Sequence, residues 1–189
     1  SLSSVWKNLP VGDVNDPPPP MIGDFYGGGV VFYIFEAADA GYVAGQTHGL
    51  IAALSYQSTA AEFGCIGTAT GATATAIGTG AQNTIDIELG CTTSGTAADL
   101  CANYSVTDGG VTYNDWFLPS QDELNQMYLK RGIINTTATA NGGGNFNDSQ
   151  HWSSTEEGGP RAYRQNFSNA GQNVTNKDSP DSVRAIRAF

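Results

Sequence analysis

Basic residues are the scarcest feature of this sequence. Eight Lys and Arg stand against eighteen Asp and Glu among 189 residues, a formal net charge of −10. Nucleic acid and anionic membrane surfaces are bound through clusters of cations, so neither is expected as a partner. Charge of either sign is sparse, at 14% of residues, where soluble domains carry roughly 25%. Apolar runs are short, and none approaches the roughly 20 residues that cross a bilayer, so membrane insertion is not expected. There are only two histidines, His48 and His151, and three cysteines, Cys65, Cys91 and Cys101. The cysteine spacings (91 − 65 = 26 and 101 − 91 = 10) match no zinc pattern, and the histidines form no metal-spaced pair. No nucleophile elbow and no carboxylate cluster among apolar neighbours is present, so the chain reads as non-enzymatic. The spaced glycines of "GCIGTATGATATAIGTGAQNT" (64–84) lack the lysine of a phosphate loop and the strand and long helix of a dinucleotide fingerprint.

What is there is turn chemistry around a modest core. Twenty-four glycines, with many Thr, Ser and Asn, accompany 40% apolar residues. That composition suits one loop-rich domain. The acidic balance fits solubility outside the cell, and also calcium or a cationic partner. The cysteines leave two arrangements open: one disulfide with one buried thiol, or three core thiols. A Cys65–Cys91 bridge would stabilise the fold by about 3.5 kcal/mol through chain entropy and would place the protein outside the reducing cytosol. The opening "SLSSVW", with no initiator Met and no signal peptide, reads as a processed product or a fragment. Residues 1–20 read as a leader whose four prolines, Pro17 to Pro20, form an extended spacer. It is either an assembly arm reaching a neighbouring subunit or a plain tail. The domain proper runs over 21–189.

Within it, "GGGVVFYIF" (27–35) predicts a buried strand, and "HGLIAALS" (48–55) its hairpin partner. Residues 64–84 predict a turn-rich excursion. Two short helices are expected over 81–90 and 95–105, with Cys101 interior. "GVTYNDWFL" (110–118) predicts a strand that Pro119 ends. Ser120 and Glu123 then form a capping box, and Leu124, Met127 and Tyr128 an apolar helical stripe against which Trp116 and Leu118 anchor the sheet. Residues after Arg131 read as polar, glycine-rich loop. Strands over 151–156, 161–167, 172–176 and 182–189 predict an antiparallel meander, with Trp152 and Phe167 in the core.

Together "IGDFYGGGVVFYI", "THGLIAALS", "ATAIGTGAQNT", "DWFLPSQDELNQMY", "HWSSTE", "RAYRQNF" and "VRAIRAF" resemble the C-terminal domain type of the bacterial collagen-like adhesin Lcl, over about residues 21–189. The resemblance implies an α+β, C-type-lectin-like fold. Short helices would pack on small twisted antiparallel sheets, with the N- and C-terminal strands adjacent. It also implies an extracellular, surface-, fibre- or virion-displayed domain, trimeric, binding a glycan or a cell-surface receptor through polar loops of the C-terminal third. A structural subunit of a virion fibre or extracellular filament, assembled through the leader, is the alternative.

Amides and aromatics mixed at loop tips suit sugars and adaptable protein recognition alike. On that ground the candidate ligand-binding residues are Asn145, Phe146, Asn147, Tyr163, Arg164, Asn166, Asn169 and Gln172. No cofactor is expected beyond a calcium ion, for which Asp148 and Glu156 are weak candidates. Glu156 and Arg187 are also expected to form a buried ion pair.

Overall fold

The computed structural model describes residues 18–189. Most of the leader, and with it any assembly role, lies outside the described residues. From Phe25 onward the chain builds eleven strands and four helices. They are β1 (Phe25–Tyr26), β2 (Gly29–Ile34), β3 (Gly49–Ala53), β4 (Ser58–Ala61), α1 (Gly80–Gly90), α2 (Ala97–Ala102), β5 (Val106–Asp108), β6 (Val111–Tyr113), α3 (Gln121–Leu129), α4 (Arg131–Ala140), β7 (Gln150–Glu156), β8 (Arg161–Asn166), β9 (Gln172–Asn176), β10 (Asp181–Val183) and β11 (Ile186–Ala188). The architecture is mixed α+β: three small, mainly antiparallel sheets with short helices.

The first sheet has the order β1-β2-β3-β11. It is buried on both faces, which is why β2 reads as a continuous apolar run. Val30 and Phe32 point with Leu50, Ala52 and Ile186 towards α3 and α4, where Leu124, Met127, Ile134 and Ala138 meet them. Val31, Ile51 and Ala53 face the other way, into a second core with Phe63, Ile87, Cys101, Trp116, Leu118 and Trp152. The closing strand shares this sheet with the glycine-led β2, but β3 lies between them. The two ends are therefore neighbours through one strand rather than paired.

The second sheet has the order β4-β10-β7-β8-β9. One pairing departs from the expected meander: β10 runs parallel to β7, through Ser182 opposite His151. Residues 182–189 are not one strand either. The chain leaves the second sheet after Val183 and enters the first at Ile186. Arg184 sits at the crossing, buried, and donates to the carbonyls of Ala53, Leu54 and Gly144. It satisfies backbone oxygens that no sheet ladder reaches.

The joint at Pro119 forms as expected, with one change. Ser120 accepts from the Glu123 N–H, and the Glu123 carboxylate accepts from Ser120 N at 2.7 Å and Gly78 N at 2.8 Å. Gly80 must stay a glycine here, because a Cβ would collide with the Glu123 carboxylate. It is Phe117, however, that faces the α3–α4 core, bridging to Ile186, while Trp116 and Leu118 pack on the α1–α2 side. Only 111–113 of the expected 110–118 strand is regular, paired with β5 as a separate hairpin.

The segment after Arg131 is helix, not loop. Ile134 and Ala138, four apart, give it a buried stripe. Thr136 and Thr137 quiet their hydroxyls on the carbonyls of Gly132 and Gly23. The excursion over 64–79 does lack regular structure, yet it is fixed by its carbonyls: Ala72, Ala74, Thr75 and Ala76 accept from Glu156 N, Thr155 Oγ1, Asp122 N and Ser120 Oγ. A disulfide joins Cys65 to Cys91, and Cys101 is a free, buried thiol whose ionisation burial suppresses.

Candidate functional site

The loop that follows α4 and the turn that joins β8 to β9 lie side by side. Phe146 from the first and Phe167 from the second meet at 4.8 Å between ring centroids, and Phe167 N donates to Ser149 O at 3.0 Å. His151 stacks on Phe167 at 4.0 Å, Tyr128 meets that ring edge-on, and the Arg184 guanidinium lies 4.3 Å from the Phe146 ring. This aromatic plug fixes the two loops on the scaffold. Phe146 is therefore a half-buried anchor, not the exposed tip residue expected from the sequence.

Around the plug, as a rim, stand the amides Asn145, Asn147, Asn166 and Asn169; Asn173, on the edge strand β9 opposite Arg164, lies on the other face of that sheet. Their oxygens all turn inward. Asn145 Oδ1 accepts from Thr139 Oγ1 and Asn173 Oδ1 from Arg164 Nε, both at 2.9 Å. Asn147 Oδ1 accepts from Ser149 Oγ. Asn166 Oδ1 accepts from Ser168 N and Asn169 Oδ1 from Gly171 N, local turns that fix each amide's orientation. The amino groups of Asn145, Asn166 and Asn169 donate to nothing among the described residues. The rim therefore presents hydrogen-bond donors to solvent, held by acceptors already in use.

The other expected residues divide. Gln172 is exposed but locked to α3: Gln121 Nε2 donates to its Oε1 at 2.9 Å. Tyr163 and Arg164 are half-buried on adjacent, hence opposite, positions of β8. Arg164 forms an ion pair with the buried Asp181 at 3.2 Å. Tyr56 also belongs to the rim, although sequence reasoning missed it. Its hydroxyl accepts from Asn147 N and shares a 2.7 Å hydrogen bond with His151 Nε2. No local signal could have found it, since Asn147 lies 91 residues away.

Neither histidine stands against a nucleophile. His48 uses Nδ1 on Phe189 O and Nε2 on Gln46 Oε1; His151 uses Nδ1 on Ser149 O and Nε2 on Tyr56. Burial, reinforced by the Arg184 charge, pushes the His151 ring down to about 4, against the pull of Ser149 O, and leaves it neutral near pH 7.

The expected Glu156–Arg187 pair is not formed. Glu156 pairs with Lys177 at 2.6 Å, both side chains being out of solvent. Lys177 also donates to Thr68 O, and Glu156 accepts from Thr70 and from Gly71 N. Burial opposes ionisation of Glu156, but the Lys177 ammonium and these N–H groups outweigh it and hold the carboxyl below its usual range. Arg187 reaches Asp115 instead, through two bonds of 2.7 and 2.8 Å. With Glu156 so engaged and Asp148 exposed alone, the two calcium candidates do not converge. Among the described residues no group of three His, Cys, Asp or Glu is placed to hold a metal, and no helix is long and apolar enough to cross a membrane. Set against known proteins, the chain matches no family model and no curated protein.

Proposed function

We propose that this is a displayed, non-catalytic binding domain that recognises an oxygen-rich ligand, a glycan or the polar face of a protein receptor, through the amide rim. The observation that carries the reading is the one-way orientation of the rim amides. Their oxygens are held inward by turns and side chains, so their amino groups point to hydroxyl, ether, carbonyl or carboxylate oxygens of whatever docks. The aromatic plug beneath keeps the donors in place, which limits the ordering a ligand must impose. The disulfide supports an extracellular setting, and the arrangement of loops over a disulfide-closed α+β scaffold supports a C-type-lectin-like domain.

The test is a glycan array and a cell-binding assay with Asn169→Asp and Asn145→Asp. Aspartate keeps the inward acceptor and removes the outward donors. Each variant should keep its melting temperature and lose roughly five- to tenfold in affinity, the effect of about 1 kcal/mol per lost hydrogen bond. No binding by the parent protein to any glycan or cell surface, or unchanged binding by both variants, would overturn the reading.

Assembly into a fibre or filament is a second reading, and one surface favours it. Met21, Ile22, Phe25 and Tyr26, next to the leader, leave large apolar side chains exposed; Met21 is 66% exposed. A chain of net charge −10 self-associates best through such an apolar face, where the one carboxylate, Asp24, is held by Met21 N. In that reading the protein is a homo-oligomer, a trimer by the resemblance noted in the sequence. Removing residues 1–20 and replacing Phe25 by Ser should then lower its mass in solution; an unchanged oligomer mass would exclude this route.

A further inference from the structure

The rim meets a ligand with donors and with one unused acceptor. The oxygens of Asn145, Asn166 and Asn169 are held by Thr139, Ser168 and Gly171, which leaves their amino groups outward. Between Asn147 and Ser149 stands Asp148, exposed, with no hydrogen-bond or ion-pair partner among the described residues. Ser149 O accepts from Phe167 N, which brings Asp148 to the turn that carries Asn166 and Asn169. The Asp148 charge also reaches Tyr56. Burial first, and that charge in a smaller part, raise the Tyr56 phenol to about 12 against the opposing pull of Asn147 N and Arg184.

No cation offsets Asp148. Arg161, Arg164, Lys177 and Arg187 stand in ion pairs with other carboxylates. Arg184 is buried on three carbonyls. Arg131 donates to Tyr128 O and lies over that ring at 4.1 Å. Lys130 sits at the far end of α4 from the rim loop, in a cleft with Tyr33 and Glu36. A polyanion approaching this chain of net charge −10 would therefore meet a bare carboxylate and, among the described residues, no uncommitted cation at the rim. A protein partner would lack an anchor. None of the large apolar side chains exposed on the described surface lies within residues 141–176, and protein interfaces draw most of their affinity from such side chains.

The amides can only donate and the Asp148 carboxylate can only accept. Two adjacent hydroxyls on a sugar ring satisfy both, because each hydroxyl donates and accepts. We infer that the rim takes a neutral glycan through adjacent hydroxyls, which donate to Asp148 and accept from the neighbouring amides, and that it rejects sulfated and uronate-rich chains. This rests on the amide-rim reading and names the ligand class of that site.

The test uses matched pairs on one surface: dextran, mannan and galactan, each beside its sulfated derivative. A neutral member should bind at least about tenfold tighter than its sulfated form at low salt. Its affinity should hold within about twofold between roughly 0.05 and 0.5 M NaCl, since screening has no attraction to remove. Asp148→Asn, at an exposed position without a partner, should keep the melting temperature. It should weaken the neutral glycan about fivefold, by the loss of charge-assisted bonds, and narrow the discrimination against the sulfated form. Tighter binding of a sulfated member that fades with salt would overturn the inference and leave the rim reading standing. So would unchanged ligand preference in Asp148→Asn, or cell binding through a protein receptor with no glycan bound. Absence of binding to any glycan or cell surface would remove the rim reading and this inference with it.

Discussion

Lys177→Met isolates the most consequential charge in the molecule. At 2.6 Å from Glu156 the attraction is roughly 6 kcal/mol in a protein-like dielectric, yet desolvating both ions opposes it by several kcal/mol each. The pair as a whole is thus worth little; half of it is worth a great deal in the wrong direction. Methionine keeps the stem against Phe63, over which the ammonium lies at 5.1 Å, and leaves Glu156 buried without its cation. The expected loss is about 3–5 kcal/mol, or a fall of roughly 10 °C in Tm for a chain of this size. In Lys177→Met/Glu156→Gln the buried charge is gone. The Gln oxygen still accepts from Thr70 or Gly71, and its amino group can turn to Thr68 O, so the double variant should recover more than half of the loss. The pH dependence has a definite sign. The folded carboxyl titrates below its unfolded value near 4.5, so the pair's stabilisation is present above that value and disappears as pH falls through the lower folded one. Urea melts and thermal scans between pH 3 and 7 read both effects. A single variant that loses less than about 1 kcal/mol, or a double variant no better than the single, would refute the account.

Three further outcomes follow from the disulfide and from buried side chains. Reducing Cys65–Cys91, separated by 26 residues, should cost about 3.5 kcal/mol by denaturant titration. Cys101 should resist a thiol reagent in the folded state, and its prompt labelling would contradict its burial. The His151 ring should titrate near 4 by NMR. Its folded pKa lies below the unfolded one, so stability drops as pH falls from about 6.5 through 4; a midpoint near 6.5 would mean that the aromatic plug is open to water.

Local chemistry was legible in the sequence, and long-range partnership was not. The Ser120–Glu123 cap, the buried β2 run and the interior Cys101 each follow from residues within a few positions of one another. Helix α4 did not show, because Gly132 and three threonines argue against helix; packing of Ile134 and Ala138 on β2 decides the matter. The parallel step between β7 and β10 is invisible to alternation, which reports faces and not neighbours. Ion pairing failed for the same reason: Glu156 had several cations to choose from, and only the fold brings Lys177 to it. The rim residues were picked for their amides. That Asn145 and Asn169 share one surface depends on the contact of Phe146 with Phe167, and the inward turn of their oxygens depends on partners such as Thr139 and Gly171.

The order in which the first sheet is assembled bears on when the fold can close. Strand β11 pairs with β3, and the Arg184 crossing closes carbonyls of Ala53, Leu54 and Gly144. Neither can form until residues 181–189 are in place. Until that segment is in place, β3 keeps an open edge beside Leu50, Ile51 and Ala52, the residues that β11 pairs with. Closure of both sheets is thereby tied to one short, late segment.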